Sequence, residues 1–425
     1  MGVELAYLVG SVPMIRDKRI VFGVCGGIAA YKAADAVSKL QQAGALVDVV
    51  ITTRARQFVS ALTFSALSQR PVYDDLWEPT GQAAARHIEL GRAADLLVIA
   101  PATANTLARL AHGMADDMLT TVALSAPAPL LLVPAMESHM YEHPATQANL
   151  RLLAERGATI LPPEVGHLAS GAVGVGRFPE TATILAHIRR LLGRNGDLAG
   201  RKVIVTAGGT REPIDPVRYI GNRSSGLMGC ALAEEARDRG AEVVLIAGAM
   251  SVTPPAGVEL VHVETAAELR DAIYAALPGA DALVMAAAVA DYRVEHPAKQ
   301  KIKKGSAAER PDGSLTLRLV PNPDILAELA AAEDGRALTR VGFAAETNDL
   351  ETNAAKKLAK KRLALLVAND VTKQGSGFGV ETNEVTLFHA DGRIEPLALL
   401  PKTEVAAAIW DRVTPLLPAR EDETR

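Results

Sequence analysis

The residues best suited to chemistry lie in a glycine- and hydroxyl-rich segment at positions 206–229, which reads TAGGTREPIDPVRYIGNRSSGLMG. The segment follows an apolar, strand-like run at 202–205 and leads into a helical pattern at 228–239. A strand-to-helix junction of this kind directs backbone N–H groups and a helix N-terminus toward an anion. The sequence therefore predicts a site for a phosphate or another anionic group in the second half of the chain.

Further polar residues follow the predicted strands of the same half. Residues 285–292, MAAAVADY, end a strand in small side chains, and residues 301–304, KIKK, are cationic. Phe343 is placed to stack on a base, and Lys357 and Lys361 share one helix face because they stand four residues apart. Lysine runs usually coat a solvated surface. Here their position beside several strand-end loops favours a binding role.

A second glycine-containing junction lies at Gly26 and Gly27, between a predicted strand and the first helix. Without Cβ atoms at these positions, a phosphate can approach the helix N-terminus. Thr52 and Thr53 end the next strand and add hydroxyl groups, and His87 is a natural proton carrier near neutral pH. Each signal is weak alone, because tight junctions more often use glycine for packing and a lone histidine is more often structural. Two different junctions indicate two active sites.

Alternating strand and helix patterns must position these residues. The fold class predicted is α/β, with two Rossmann-like doubly wound domains whose ligands bind beyond the carboxyl ends of the strands. The predicted strands lie at 19–24, 47–52, 96–100, 130–133, 243–247, 282–285, 340–343 and 363–367, with helices at 28–42, 56–67 and 103–111. Residues 315–319 and 384–388 alternate in polarity and are expected to pair as antiparallel edge strands.

The predicted boundaries are an N-terminal extension at 1–18, a first domain at 19–192, a linker at 193–200, a second domain at 201–417 and a tail at 418–425. A length of 425 residues suits two or three domains, and a formal charge of −4 gives no indication of a nucleic-acid surface. Two cysteines, Cys25 and Cys230, fit a reducing compartment. No apolar run reaches the length of a membrane span, so we expect a cytoplasmic protein that binds neither membrane nor nucleic acid.

The first half resembles the family of flavin-containing cysteine decarboxylases. The motifs GGIAAYK (26–32), HIEL (87–90), APATANT (100–106), GMADD (113–117) and PAMESHM (134–140) follow the order and spacing of that family. The resemblance implies a flavodoxin-like FMN domain that oxidises the thiol of an acylated cysteine, so that the β-carboxylate leaves as CO₂. It implies His87 as the catalytic base. The residues implied to line FMN are Gly26, Gly27, Thr52, Thr53, Thr103, Asn105, Thr106 and Ala135.

Two positions depart from the pattern of that family. Glu137 replaces the usual asparagine that contacts the substrate carboxylate, and two carboxylates in contact repel each other. In the substrate-clamp motif, ASGAVGVGR (169–177), Ser170 replaces the cysteine that is thought to donate a proton, while Arg177 is retained. A hydroxyl is a far weaker acid than a thiol. One alternative is therefore an FMN-binding domain that no longer decarboxylates.

The second half resembles phosphopantothenate–cysteine ligase, through AGGTREPIDPVR, GNRSSG, AAAVADY, KIKK, NPDIL, GFAAET and VAND. The resemblance implies that CTP, with Mg²⁺, activates a carboxylate as an acyl-cytidylate, and that the amine of cysteine then displaces CMP. Asn222 would bind the acyl intermediate and help to turn it over, and Lys301 would assist the attack by cysteine. The residues implied for the nucleotide site are Met285, Ala286, Ala287, Asp291, Lys301, Pro323, Asp324, Ile325, Leu326, Phe343, Lys357 and Lys361.

Both halves in this order resemble the bifunctional bacterial family of coenzyme A synthesis, over residues 19–411. The resemblance implies homo-oligomers, with trimeric FMN domains, dimeric ligase domains and a dodecamer from their combination. Physical reasoning alone leaves CTP and ATP open, and it identifies no Mg²⁺ ligands. Leu227 stands where that family commonly has lysine. A second alternative is a flavin-domain protein with a regulatory binding role, which the intact ligase motifs disfavour.

Overall fold

The computed structural model describes residues 15–76, 86–303, 314–332, 337–346, 350–370, 376–377 and 379–419. The chain divides into two compact units, residues 1–193 and 194–425. Most of the predicted extension, Lys304 of the KIKK motif and most of the predicted tail lie outside the described residues. Among the helices that are described, none has both the length and the apolar character needed to cross a membrane.

Six parallel strands form the main sheet of the first unit. They are β1 (Arg19–Val24), β2 (Leu46–Ile51), β3 (Val72–Tyr73), β4 (Leu96–Ala102), β5 (Leu130–Pro134) and β6 (Thr159–Ile160). Their order, β3-β2-β1-β4-β5-β6, is that of a Rossmann sheet, and without the short β3 it is the flavodoxin-like order. The order reverses between β1 and β4, which is where such sheets bind ligands.

Helices cover both faces of this sheet. They are α1 (Ala30–Gln42), α2 (Ala61–Ser68), α3 (Arg86–Ala93), α4 (Ala104–Ala111), α5 (Met118–Ser125), α6 (Ser138–Glu142), α7 (Pro144–Glu155) and α8 (Thr181–Gly193). Because side chains alternate along a strand, Phe22 joins one buried cluster and Val21 joins the other. Ile15, within the predicted extension, is buried in the cluster that contains Phe22. An antiparallel hairpin, β7 (Glu164–His167) and β8 (Val173–Arg177), follows the sheet.

An eight-stranded sheet forms the second unit, in the order β13-β12-β9-β14-β17-β18-β20-β21. These strands are β9 (Lys202–Ala207), β12 (Glu242–Ala247), β13 (Glu259–His262), β14 (Ala282–Met285), β17 (Thr339–Glu346), β18 (Leu365–Asp370), β20 (Val385–His389) and β21 (Ile394–Pro396). The first six are parallel, whereas β20 and β21 are antiparallel additions at one edge. The order reverses between β9 and β14, so this sheet also has a Rossmann-like switch point.

Small antiparallel pairs extend the loops of this unit: β10 (Arg211–Pro213) with β11 (Tyr219–Gly221), β15 (Tyr292–Val294) with β16 (Leu319–Pro321), and β19 (Thr382–Asn383) with β22 (Leu400–Pro401). The helices are α9 (Leu227–Asp238), α10 (Ala266–Ala276), α11 (Ile325–Ala331), α12 (Leu350–Lys360) and α13 (Lys402–Val413). Helices α9 and α13 pack together in one buried cluster, in which Trp410 Nε1 donates a hydrogen bond of 2.9 Å to the carbonyl of Leu232.

The prediction of two Rossmann-like doubly wound domains is confirmed, but two local predictions are wrong. The alternating segments at 315–319 and 384–388 do not pair with each other, because Leu319–Pro321 pairs with β15 and Val385–His389 lies between β18 and β21. Alternation identifies a half-buried strand but not its partner. The predicted helix at 56–67 is interrupted, since a short 3₁₀ turn precedes Ser60, whose hydroxyl caps the start of α2.

Candidate functional site

A cavity of about 1080 Å³ lies in the first unit, beyond the carboxyl ends of β1, β2, β4 and β5. Its volume is at the upper end of the range typical of cofactor sites. It brings together all the residues that the sequence predicts for FMN, and Glu137, Ser170 and Arg177 also line it. The residues shared with that prediction are Gly26, Gly27, Thr52, Thr53, Thr103, Asn105, Thr106 and Ala135. The donor set and the size therefore fit a flavin nucleotide.

The two glycines of the first junction have different roles. A Cβ atom on Gly26 would lie 2.5 Å from Cβ of Arg54 and 2.7 Å from its carbonyl carbon. Gly26 is therefore needed for close packing against the loop after β2. A Cβ atom on Gly27 would find its nearest neighbour 3.8 Å away, at Cγ2 of Thr103. Gly26 is thus explained by packing against Arg54, whereas the role of Gly27 beside a phosphate stays a prediction.

The start of α4 forms the floor of the same cavity. Thr103 caps this helix, and its Oγ1 accepts a hydrogen bond of 3.4 Å from the amide of Thr106. Cys25 lies just before the glycines and is fully buried, which raises the pKa of its thiol to about 11. The thiol is therefore neutral near pH 7 and is not an activated nucleophile.

The clamp motif forms the hairpin of β7 and β8, with Ser170 in its exposed turn. The amide of Gly171 donates to the carbonyl of Leu168 at 2.9 Å, and the amide of Leu168 donates to the carbonyl of Ala172 at 2.9 Å. Arg177, at the end of β8, forms an ion pair with Glu180. The turn is thus internally bonded, and Ser170 is among the residues that line the cavity.

The carboxylate of Glu137 is engaged within the protein. Glu137 caps α6, and its Oε2 accepts a hydrogen bond of 2.8 Å from the amide of His139. The Oε1 atom of Glu137 lies 3.0 Å from Nδ1 of His139. The hydrogen bond with the His139 side chain is the main reason that the pKa of Glu137 is lowered, so this group stays ionised. Glu137 therefore replaces a neutral amide with a fixed negative charge at the wall of the cavity.

His87 does not join this group of residues. It lies in the first turn of α3, where its backbone carbonyl accepts a hydrogen bond of 3.1 Å from Oγ of Ser125. His87 is not among the described residues that line the cavity of the same chain. The sequence did not predict that His87 lies apart from the cavity. Helix α3, which carries His87, precedes β4 and packs against α5 on one face of the sheet.

A smaller cavity, of about 120 Å³, lies in the second unit at the carboxyl edge of its sheet. It joins residues 224–229, at the start of α9, to Ala286, Ala287 and Phe343 from the predicted nucleotide site. Gly226 begins the helix with a φ of +85°, and no side chain caps it. The described lining also includes Asn369, from the VAND motif, and Gly377, Asn383 and Lys402, which the sequence did not single out.

Most of the glycine-rich segment at 206–229 holds neighbouring loops rather than lining this cavity. The Nδ2 of Asn222 donates a hydrogen bond of 3.1 Å to the carbonyl of Val289. Thr206 and Thr210 accept hydrogen bonds from the amides of Ala287 at 3.0 Å and Ala290 at 2.9 Å. The loop after β14 is therefore tied to this segment along its length, and Asn222 lies beside that loop.

Lys301 is held next to this segment through its neighbour Ile302. The amide of Ile302 donates to Oδ2 of Asp215 at 3.1 Å, and its carbonyl accepts from Nη2 of Arg218 at 3.0 Å. Asp215 also accepts from Arg218 at 2.5 Å and from backbone amides, and these bonds hold the pKa of this buried carboxyl well below its usual range. These bonds anchor the backbone at Ile302, beside Lys301.

Several predicted nucleotide-site residues lie outside the small cavity. Nζ of Lys361 forms an ion pair of 2.8 Å with Asp324, so these two candidates contact each other. The side chains of Ile325 and Leu326 are buried in a hydrophobic cluster, which leaves only their backbone atoms able to reach a ligand. The remaining predicted residues outside the described lining of this cavity are Met285, Asp291, Lys301, Pro323 and Lys357.

Comparison with known proteins covers both units. A family model described as "Flavoprotein" matches residues 11–193, and "DNA/pantothenate metabolism flavoprotein C-terminal domain" matches residues 198–416. The coenzyme A biosynthesis bifunctional protein CoaBC of Vibrio parahaemolyticus is 45% identical over 403 residues, which cover 95% of this chain and 99% of that protein. The CoaBC proteins of Bacillus subtilis and Mycobacterium tuberculosis are 44% and 46% identical and cover 95% and 94% of this chain, over 98% and 97% of their own lengths.

The chain belongs to the CoaBC family.

CoaBC membership confirms the predicted resemblance of both halves and the prediction of a bifunctional enzyme of coenzyme A biosynthesis, with decarboxylase and ligase domains. It also supports a flavin in the first domain. In the part of this CoaBC chain that the structure describes, no group of three or more His, Cys, Asp and Glu side chains is arranged to hold a metal ion. Mg²⁺ is usually bound through one or two carboxylates together with substrate phosphates and its own waters, which does not require such a group.

Sequence reasoning missed functional candidates in both domains. Arg109 lines the flavin-domain cavity and pairs with Asp116 at 2.9 Å and Asp117 at 3.0 Å. The GMADD motif contains Asp116 and Asp117, but the sequence did not predict that they and Arg109 form a charged wall of the cavity. Asn369 belongs to the VAND motif, which was a second usable signal. Lys402 had no signal, because a single lysine near the C-terminus resembles any surface lysine.

The first prediction concerns the glycine junction of this CoaBC chain. Gly26→Ala should lower the free energy of unfolding of the flavin-free protein by about 1–3 kcal/mol, because the new methyl group meets the backbone of Arg54. Gly27→Ala should stay within about 0.5 kcal/mol of the wild type, because nothing lies in close contact there. Denaturant unfolding measures both. Equal stabilities of the two variants would contradict the assignment.

The second prediction concerns the anchor of Lys301. Asp215→Asn weakens a charge-assisted acceptor, so the Ile302 amide should exchange its hydrogen about tenfold faster or more. Native-state hydrogen exchange measures this, with Asp271→Asn as the control, since Asp271 forms an exposed pair with Arg270 at 2.9 Å on α10. Unchanged protection of Ile302 in Asp215→Asn would show that the pair does not hold this segment.

Proposed function

We propose that this chain joins 4′-phosphopantothenate to cysteine in its second domain, using CTP, and decarboxylates the product to 4′-phosphopantetheine in its first domain, using FMN. The observation that carries the proposal is that each domain has its own cavity at the carboxyl edge of a Rossmann-like sheet. The full-length similarity to CoaBC proteins supports the coupling of two reactions on one chain. The order of the domains is the reverse of the order of the reactions.

The ligase reaction needs an activated carboxylate, because a free carboxylate is a poor electrophile. The carboxylate oxygen of 4′-phosphopantothenate attacks the α-phosphorus of CTP, and pyrophosphate leaves. The amine of cysteine then attacks the acyl carbon, and CMP leaves with the bonding electrons. This sequence of displacements brings anions together, so cations and N–H donors must offset their repulsion.

The described residues offer such groups in a fixed arrangement. The uncapped start of α9 at Gly226 presents backbone N–H groups to an anion, and Phe343 offers a ring to a base. Lys301 adjoins Ile302, whose backbone is held by Asp215 and Arg218. We assign Lys301 to the attack by cysteine and Asn222 to the turnover of the acyl intermediate. Mg²⁺ would screen the phosphates of CTP when bound.

The decarboxylase cavity suits a flavin held by the junction at Gly27, by the hydroxyls of Thr52 and Thr53, and by the start of α4. Bound FMN would accept two electrons from the thiol-bearing carbon and return them after CO₂ has left. The β7–β8 hairpin lines this cavity, where it would help to exclude water, and Arg177 would contact the substrate. Ser170 is placed to donate a hydrogen bond, but its hydroxyl is a weaker proton donor than a thiol.

The role of His87 as a base requires an oligomer. His87 does not line the cavity of its own copy in the described structure, so it must reach the cavity of a neighbouring copy to act there. We propose trimeric FMN domains, dimeric ligase domains and a dodecamer, following the resemblance of the two halves to their families. In that arrangement His87 would lie at the boundary between two copies.

A second candidate function is favoured by two residues of the flavin domain. Glu137 keeps a negative charge at the cavity wall, and Ser170 lacks the acidity of a thiol. Both changes disfavour a substrate carboxylate and the final proton transfer. The alternative is therefore an active ligase with a flavin domain that binds FMN but does not decarboxylate.

One experiment separates these functions. The full chain is incubated with 4′-phosphopantothenate, cysteine, CTP and Mg²⁺, and the products are identified by mass. We expect 4′-phosphopantetheine, with the acylated cysteine as a transient species. Accumulation of the acylated cysteine alone would favour the alternative, and the absence of both products would reject the proposal.

The third prediction concerns Asn222. Asn222→Asp places a charge where the amide donates to Val289, so the acyl-cytidylate should accumulate and ligation should slow by at least about tenfold. Quenched reactions analysed by mass measure the intermediate. Asn195→Asp serves as a control for the same change at an exposed amide outside the described cavity lining. Wild-type turnover in Asn222→Asp would contradict the role assigned to Asn222.

A further inference from the structure

Lys402 is a buried cation at the wall of the small cavity in the second domain. Its side chain belongs to the first turn of α13, and the residue is only 6% exposed. Nζ donates one hydrogen bond, of 3.0 Å, to the carbonyl of Gly377. No carboxylate of the described residues pairs with it. An ammonium group has three donors, so two of them have no partner within the described protein.

This placement costs free energy that a purely structural residue would not need. Burial removes water from the ammonium and lowers its pKa to about 8, so the group is still mostly protonated near pH 7. The first turn of a helix also disfavours a cation, because the helix dipole is positive there. A neutral donor or an apolar side chain would fill the space at lower cost. A cation kept under these conditions indicates that an anion binds beside it.

The surroundings of Lys402 point to the same kind of ligand. Among the described residues that line the cavity, Lys402 is the only charged one, and the others are small, hydroxyl, amide or apolar. The Oδ1 atom of Asn383 accepts hydrogen bonds from Oγ of Ser376 at 2.8 Å and from the amide of Gly377 at 3.3 Å. Its NH₂ group is therefore the part of the side chain that can donate to a ligand. With the uncapped start of α9, the described lining presents donors and no competing negative charge.

We propose that Lys402 binds a phosphate oxygen of the ligand that occupies this cavity. The identity of the ligand rests on the proposed function, in which both CTP and 4′-phosphopantothenate carry phosphate. The ammonium group of Lys402 would keep its hydrogen bond to the carbonyl of Gly377 and donate its remaining hydrogen bonds to the phosphate. The positive charge of Lys402 then offsets the negative charge that these ligands bring into a site with no other charged side chain in its described lining.

Lys402→Met tests this role, because methionine keeps the length and removes the charge. Lys202→Met is the matched control, since Nζ of Lys202 also donates to a backbone carbonyl, that of Pro278 at 2.9 Å, but lies at the opposite edge of the sheet. Isothermal titration of the full FMN-loaded chain measures the affinity for CTP and for 4′-phosphopantothenate separately. We expect Lys402→Met to weaken one of the two by about tenfold or more, and Lys202→Met to change neither.

The ligand that loses affinity identifies the source of the phosphate. If Lys402→Met binds both ligands within about twofold of the wild type, the proposal is wrong, whatever the change in melting temperature. If Lys402→Met does not fold, Lys402→Arg and Lys402→Gln replace it. Stronger binding by the arginine variant than by the glutamine variant supports an anion site, and equal binding overturns it.

A further measurement separates this proposal from the proposed function. If the wild-type chain forms no ligation product, the ligase assignment fails, but the titration is repeated with inorganic tripolyphosphate. Weaker binding of tripolyphosphate by Lys402→Met than by Lys202→Met still supports an anion site at Lys402. Equal binding by these two variants rejects it.

Discussion

Both domains depend on close backbone packing between the first strand-to-helix junction and the loops that follow the neighbouring strands. In the flavin domain, Gly26 packs against Arg54 with no room for a Cβ atom. In the ligase domain, the amide of Gly209 donates to the carbonyl of Ala249 at 3.0 Å, and Gly209 also bridges to Ala288. These contacts bring the ends of adjacent parallel strands to one edge. The cavities form at that edge because the sheet order reverses there.

This constraint divides the segment at 206–229 into parts with different tasks. Its first residues bond the loops on either side, Asp215 and Arg218 hold the segment that carries Lys301, and Asn222 is fastened to the loop after β14. Only residues 224–229 line the cavity. A sequence that looks like one anion-binding loop is thus mostly a scaffold, with its binding function at the helix start.

Local patterns predicted much of this fold. The strand at 19–24 matches β1, and the predicted helix at 103–111 matches α4 within one residue, because buried parallel strands are continuous apolar runs and small or polar residues mark their ends. Contacts between distant segments were not predictable. The hydrogen bond between Asp215 and Ile302 and the position of Lys402 at the cavity both depend on how loops return to the sheet. Neither produces a periodic pattern in the sequence. The separation of His87 from its cavity has the same cause.

The central claim is that two separate sites, one in each kind of domain, perform consecutive reactions. Release of labelled CO₂ from cysteine carrying ¹³C at its carboxyl carbon tests it most directly, with 4′-phosphopantothenate, CTP and Mg²⁺ present. The wild type should release the label. Asn222→Asp should release it at least about tenfold more slowly, but at the wild-type rate when labelled 4′-phosphopantothenoylcysteine is supplied. His87→Asn should release it in neither case. Failure of Asn222→Asp to decarboxylate the supplied compound, or release of label by His87→Asn, would contradict the account.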